Sequence, residues 1–237
     1  MSFWIIILLI SFPLAGGLLA LFTNYRSEHR LKLVLSFGGA YLLSIVAFHL
    51  IPHIYEDANF LTGVFLLGGF FFQIALERYS RGIEHGHLHL HGEKTKLIPY
   101  EILFSLSLHS FMEGMPLGTD VFFNYTQKLS FAIGIVLHEL PAAFAMISLL
   151  KAAKLSTNIL RIFVVVYASM STLGALSSRF IIHSADDHVF DYLMAFVVGT
   201  FLHIATTILF ENSENHRFSW SKIWAILLGI LLAVIIS

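Results

Sequence analysis

Long apolar runs recur along the chain, separated by short segments that hold most of its charge. Eight runs are long enough to matter, at about residues 3–22, 33–52, 59–76, 97–118, 129–150, 159–182, 189–210 and 218–236. A helix that crosses hydrocarbon needs roughly 20 mostly apolar residues at 1.5 Å rise each. Irregular backbone and charge must sit outside that layer, which is where the intervening segments fall. The pattern predicts an all-α integral membrane protein with eight transmembrane helices. The first run has no basic residues before it and no small-residue cleavage site, so it reads as a retained span rather than a signal peptide. No stretch is left for a separate soluble domain, and residues 1–237 read as one polytopic membrane domain with a His-rich loop at about 79–96.

Composition agrees. Of 237 residues, 57% are apolar and 12% are Asp, Glu, Lys or Arg, against about 45–50% and about 25% in soluble domains. Lys+Arg 14 against Asp+Glu 15 leaves no basic surplus for phosphates, so nucleic acid is not an expected partner. Cysteine is absent, which removes disulfide frameworks and thiolate metal sites. Orientation follows from the basic residues. Arg26, Arg30, Lys32, Arg78, Arg81, Lys94, Lys96, Lys151, Lys154, Arg161, Arg217 and Lys222 fall in alternate loops on one side, leaving only Lys128 and Arg179 on the other. That side is cytoplasmic, so both termini are expected to be extracytoplasmic.

The chain also holds 13 histidines, nearly as many as its Lys and Arg together. Ionisable groups inside a bilayer are costly and usually mark a pathway or a site. In span 4, His109 and Glu113 stand at i and i+4 and share a helix face. In span 5, His138 is followed by Glu139 and then Pro141. Measured from the outer ends of these spans, His109 and His138 lie at matching depth, about 14 Å at helical rise. Proline lacks an N–H, so Pro141 frees the carbonyl of Leu137 beside His138, and Pro116 frees that of Met112 beside Glu113. Broken helices of this kind build the ion sites of transporters. Imidazole and carboxylate suit Zn²⁺ and, less selectively, Fe²⁺, Mn²⁺ or Cd²⁺. Glu139 lies about 100° around the helix from His138, and two roles stand for it: second ligand, or base behind the ligands. The plain alternative for the pair of histidines is polar glue between helices.

Other histidines divide by place. His85, His87, His89 and His91 alternate between Glu84 and Glu93 in the cytoplasmic loop, a composition that binds metal or keeps a loop soluble. His49 and His53 share a face at the outer end of span 2 with Glu56 close by, which suits outer access for an ion or an interfacial cap. His203 in span 7 reads equally as pore lining or as packing.

These residues carry a resemblance. The fourth span, His109-Ser110-Phe111-Met112-Glu113-Gly114, is similar to the His-Asn-x-x-(Asp/Glu)-Gly pattern of the ZIP (Zrt/Irt-like) family of divalent-metal transporters. The fifth, His138-Glu139-Leu140-Pro141-Ala142-Ala143, resembles that family's His-Glu-x-Pro-His-Glu. The second span, with Gly38 and Gly39 and ending His49-Leu50-Ile51-Pro52, resembles its Gly-rich span ending in His-x-x-Pro. The resemblance implies a ZIP-like bundle with outside termini and adjacent, bridged metal sites on spans 4 and 5. Here the Asn of the second site is Ser110, and the ligand four residues beyond His138 is Ala142, which has no donor. What remains implies a mononuclear site of His109, Glu113 and His138, with Glu139 as a fourth candidate.

The expected function is transport of divalent cations, zinc foremost, into the cytoplasm through a midplane site. The expected location is a plasma membrane of bacterial inner-membrane type, the partners being metal ions and lipid, with a homodimer left open. Two rivals stand beside it. His-Glu-x-x-His on a helix would make an intramembrane zinc-dependent hydrolase, but its second His position is Ala142. A metal sensor without net transport would bind metal without accumulating it.

Overall fold

The computed structural model describes residues 2–23, 28–56, 58–80, 98–118, 124–184, 187–210 and 219–236. Among them there are only helices and short turns. The first helix, α1, runs Phe3–Phe22. The second begins as Glu28–Ile45, passes without a break through a π-helical turn, Val46–Leu50, and ends in the turn Ile51–Ile54; all three are α2 below. Then come α3 (Phe60–Ser80), α4 (Ile98–Gly114, continued by a 3₁₀ turn, Met115–Gly118), α5 (Tyr125–Ala152), α6 (Thr157–Ser184), α7 (Asp187–Phe210) and α8 (Trp220–Ile236).

Each predicted apolar run is helical, and several helices extend beyond their runs. The reason is local at α5. Asn124 and Gln127 form a reciprocal capping box, Gln127 N donating to Asn124 Oδ1 at 2.9 Å and Asn124 N to Gln127 Oε1 at 3.0 Å. That cap starts the helix several residues before its apolar stretch, where hydropathy is silent. The 3₁₀ turn after Gly114 contains Pro116, whose missing N–H stops the α-helical ladder. Pro141 lies inside α5, which continues through it.

Among the described residues, six helical stretches are long and apolar enough to cross a membrane: Phe3–Phe22, His29–Ile54, Phe60–Ser80, Tyr125–Ala152, Thr157–Phe180 and Val189–Leu209. The surface fits hydrocarbon. Phe60, Phe71, Phe180, Trp220 and Ile235 are each at least 63% exposed, a display that water would not tolerate over whole helix faces. The structure is therefore that of a multi-pass membrane protein.

The bundle packs chiefly as α1 on α5, α3 on α7, α2 on α8 and α4 on α6, with α1 also touching α6 and α2 touching α5. Small residues permit the closest of these approaches. A Cβ on Gly114 of α4 would collide with the Ser171 carbonyl of α6, and one on Gly174 of α6 would collide with the Phe111 carbonyl of α4. The two backbones are thus locked reciprocally, as small residues allow between membrane helices. Gly38 of α2 meets α5 in a similar way: a Cβ there would lie 2.9 Å from the Leu137 carbonyl, the group that Pro141 deprives of its helical partner. Lys151 near the end of α5 donates to the carbonyls of Ala20, Leu21 and Thr23 at 3.3, 2.8 and 3.1 Å. It so caps the last turn of α1, where a cation is favoured.

Gly174→Ala is expected to lower the thermal midpoint of the detergent-purified protein sharply, because the Phe111 backbone cannot yield as a flexible side chain would. Gly63→Ala is the control. No atom lies within 4 Å of a Cβ at that position, so the change should be neutral or gain about 0.5–1 kcal/mol of helix propensity. Equal melting of the two variants would contradict this account of the α4–α6 contact.

Candidate metal centre

Polar side chains bridge the facing turns of α4 and α5. His109 Nε2 lies 3.4 Å from His138 Nε2, the rings being nearly perpendicular at 87°. Glu113, one helical turn beyond His109, places Oε1 3.3 Å from His109 Nε2 and 4.0 Å from His138 Nε2. All three side chains are at most 1% exposed. Their donor atoms lie within 4.8 Å of one another, and among the described residues they form the only such group of three or more.

These distances can be set against coordination geometry. Zinc binds imidazole nitrogen and carboxylate oxygen at about 2.0–2.2 Å, so neighbouring ligands on a tetrahedron stand roughly 3.3 Å apart. Two edges of the His109–Glu113–His138 triangle, 3.3 and 3.4 Å, already have that length, and the third, 4.0 Å, needs only a small closing movement. The arrangement can hold a divalent cation without rebuilding the helices.

The family model of the ZIP zinc transporters matches residues 84–237, well over half of the sequence. The chain belongs to the ZIP zinc transporter family. Zinc transporter ZIP9 of Micropogonias undulatus is 27% identical over 78% of this chain and 66% of its own length. ZIP9 of Xenopus tropicalis is 27% identical over 78% of this chain and 67% of its own. Protein zntD of Dictyostelium discoideum is 29% identical over 57% of this chain but only 22% of its own. The ZIP chain described here thus spans about two-thirds of the ZIP9 relatives and about a fifth of zntD.

The other sequence-selected residues of this ZIP protein are placed differently. Glu139, fully buried, turns to two hydroxyls: its Oε1 accepts from Ser110 of α4, and its Oε2 accepts from Ser171 of α6 at 3.2 Å. Ala142 is also fully buried and contributes no donor atom. At the far end of α2, His53 pairs with Glu56 at 3.3 Å, whereas His49 Nδ1 faces Gln127 Nε2 of α5 at 3.2 Å. His49 lies in the π turn, and His49, His53 and Glu56 do not form one donor group among the described residues. His203 pairs with Glu77 of α3 at 2.7 Å and packs edge-on against Phe70. The tract His85, His87, His89 and His91 lies outside the described residues.

Sequence reasoning missed Ser171 and Glu77 as partners of this polar interior. Ser171 is one hydroxyl among many in α6, with no local pattern to select it. Glu77 stands just past the third apolar run, beside Arg78, and the sequence pattern assigned it no role. A charge three or four residues inside a helix that continues to Ser80 was the available signal.

Proposed function

We propose that this chain carries divalent metal cations, Zn²⁺ foremost, across the membrane into the cytoplasm through one mononuclear centre made by His109, Glu113 and His138. The observation that carries this reading is the buried donor triangle, with two edges already at ligand–ligand spacing. Two zinc transporters among the relatives support zinc as cargo. Fe²⁺, Mn²⁺ and Cd²⁺ fit the same donors less selectively.

The topology proposed is eight spans with both termini outside. The two 17-residue helices are compatible with it. At 1.5 Å per residue α8 covers about 26 Å, and α4 with its 3₁₀ turn about 33 Å, against a hydrocarbon layer of about 30 Å. The polar contacts support alternating direction, since Lys151 joins the end of α5 to the end of α1, and Gln127 joins the start of α5 to the end of α2. In this frame the centre lies near the bilayer midplane. The whole chain is then one polytopic domain, placed in a plasma membrane of bacterial inner-membrane type.

The route follows the charge. An ion arrives at the acidic outer face, where His53 with Glu56, and His49, offer donors. It exchanges water for His109, Glu113 and His138, and leaves toward the cytoplasmic loop, where His85, His87, His89 and His91 receive it. Three protein ligands leave at least one position to water. That suits a cargo, because an ion that must leave cannot be held in a closed cage. Ala142 also removes the second histidine that a helical zinc hydrolase needs.

His138→Ala is expected to abolish zinc accumulation in cells while surface-localised protein stays at the wild-type level. Uptake at the wild-type rate would overturn the centre. Competition assays on the unmodified protein should rank Zn²⁺ and Cd²⁺ ahead of Mn²⁺, since two nitrogen donors favour the softer ions. Equal inhibition by Mn²⁺ would point to a site governed by oxygen donors instead.

A further inference from the structure

Glu139 presents a puzzle that the transport reading leaves open. It follows His138 directly on α5, and Ser110, which it touches, follows His109 directly on α4. A flexible carboxylate thus stands in the layer beside the metal centre, yet both its oxygens are engaged elsewhere. Ser110 holds Oε1 from α4, and Ser171 holds Oε2 from α6. All three side chains are fully buried, so water does not compete for these bonds. A hydroxyl donating to a carboxylate forms one of the stronger hydrogen bonds available to an uncharged donor. Two such donors on two different helices fix the direction in which the carboxylate points.

We propose that Ser110 and Ser171 set the coordination number of the cargo centre by holding Glu139 away from it as a withheld fourth ligand. The inference rests on the reading of His109, Glu113 and His138 as that centre. With Glu139 clamped, the ion meets two imidazoles and one carboxylate and keeps water in its remaining positions. With the clamp removed, the carboxylate is free to turn on its own side-chain torsions toward the neighbouring ion. Two histidines and two carboxylates would then close the shell, and a closed four-ligand shell is the mark of a structural site rather than one that releases its metal. The serines are positioning residues: they act on the cargo through Glu139, and what they govern is how fast the ion leaves.

The test uses the full-length protein purified in detergent, with Co²⁺ alone as a spectroscopic probe of the zinc site. Ser110→Ala/Ser171→Ala is expected to lower the Co²⁺ Kd by tenfold or more and to strengthen the visible absorption that marks four-coordinate cobalt. In reconstituted vesicles the same variant should show a lower KM for zinc together with a lower kcat. Adding Glu139→Gln should return the Co²⁺ Kd to within about threefold of wild type. If the two serines only tie helices together, the double variant melts earlier, binds Co²⁺ no more tightly and is indifferent to Glu139→Gln; that result overturns the proposal. Should the double variant not fold, Ser171→Ala alone, with and without Glu139→Gln, gives the same contrast at smaller amplitude, and no tightening there overturns it equally. Co²⁺ binding that is absent from wild type, or unchanged by His138→Ala, would instead remove the centre itself and the clamp with it.

Discussion

Everything in this protein depends on keeping one carboxylate, Glu113, between two imidazoles where water does not reach. An ionised carboxylate is costly to bury, and two neighbouring imidazoles repay the cost only in part, since neutral imidazole brings a dipole and no charge. A divalent cation among the three donors changes the balance, because opposite charges attract strongly in a medium that screens them little. On the proposed reading, that cation is the cargo. Its helices must resist collapse into a cheaper arrangement in which the three groups separate.

That resistance comes from backbone contacts beside His109, Glu113 and His138. Gly114 follows Glu113 directly, and its lack of a side chain lets α6 approach at the Ser171 carbonyl. On the other helix, His138 sits beside the Leu137 carbonyl released by Pro141, and Gly38 of α2 lies against that same carbonyl. A freed carbonyl in a water-poor interior is tolerated when protein covers it, and only a residue without a Cβ can cover it this closely. Proline on α5 and glycine on α2 thus form one device that fixes the rotation of α5 and with it the direction of His138. Apolar packing alone would set this angle loosely.

Much of this was legible in the sequence, for stated reasons. Helices followed from runs of apolar residues, because hydrocarbon allows a segment no other way to satisfy its own backbone. His109 and Glu113 could be put on one face from their spacing, and His138 opposite them from matching depth on a neighbouring span. The same reasoning failed where the outcome depends on rotation about a helix axis or on a local change of pitch. The π turn at Val46–Leu50 has no Pro or Gly within it to announce it, and His49 in it faces Gln127 of α5 while His53 pairs with Glu56. Glu139 was ambiguous for the same cause: its position on α5 is fixed by the sequence, but which of its neighbours it faces depends on the angle of α6, which brings in Ser171. His203 likewise found Glu77 through the close pairing of α3 with α7.

If the α4–α5 seam holds an ion as proposed, it is polar in two layers rather than one for a physical reason. If only the ligand layer were polar, the helices beside it would meet through apolar side chains, and that packing would persist whether or not cargo were bound. Here the neighbouring layer is Ser110 against Glu139, joined by a hydrogen bond that depends on direction. The buried methyl of Ala142 lies one turn beyond His138, where the related pattern places a donor. A histidine or glutamate at that position would add an ion-binding group on the same face of α5 as His138 and deepen the well. Alanine there leaves that face of α5 without the added donor, so an ion held by His109, Glu113 and His138 would meet fewer side chains than the related pattern supplies.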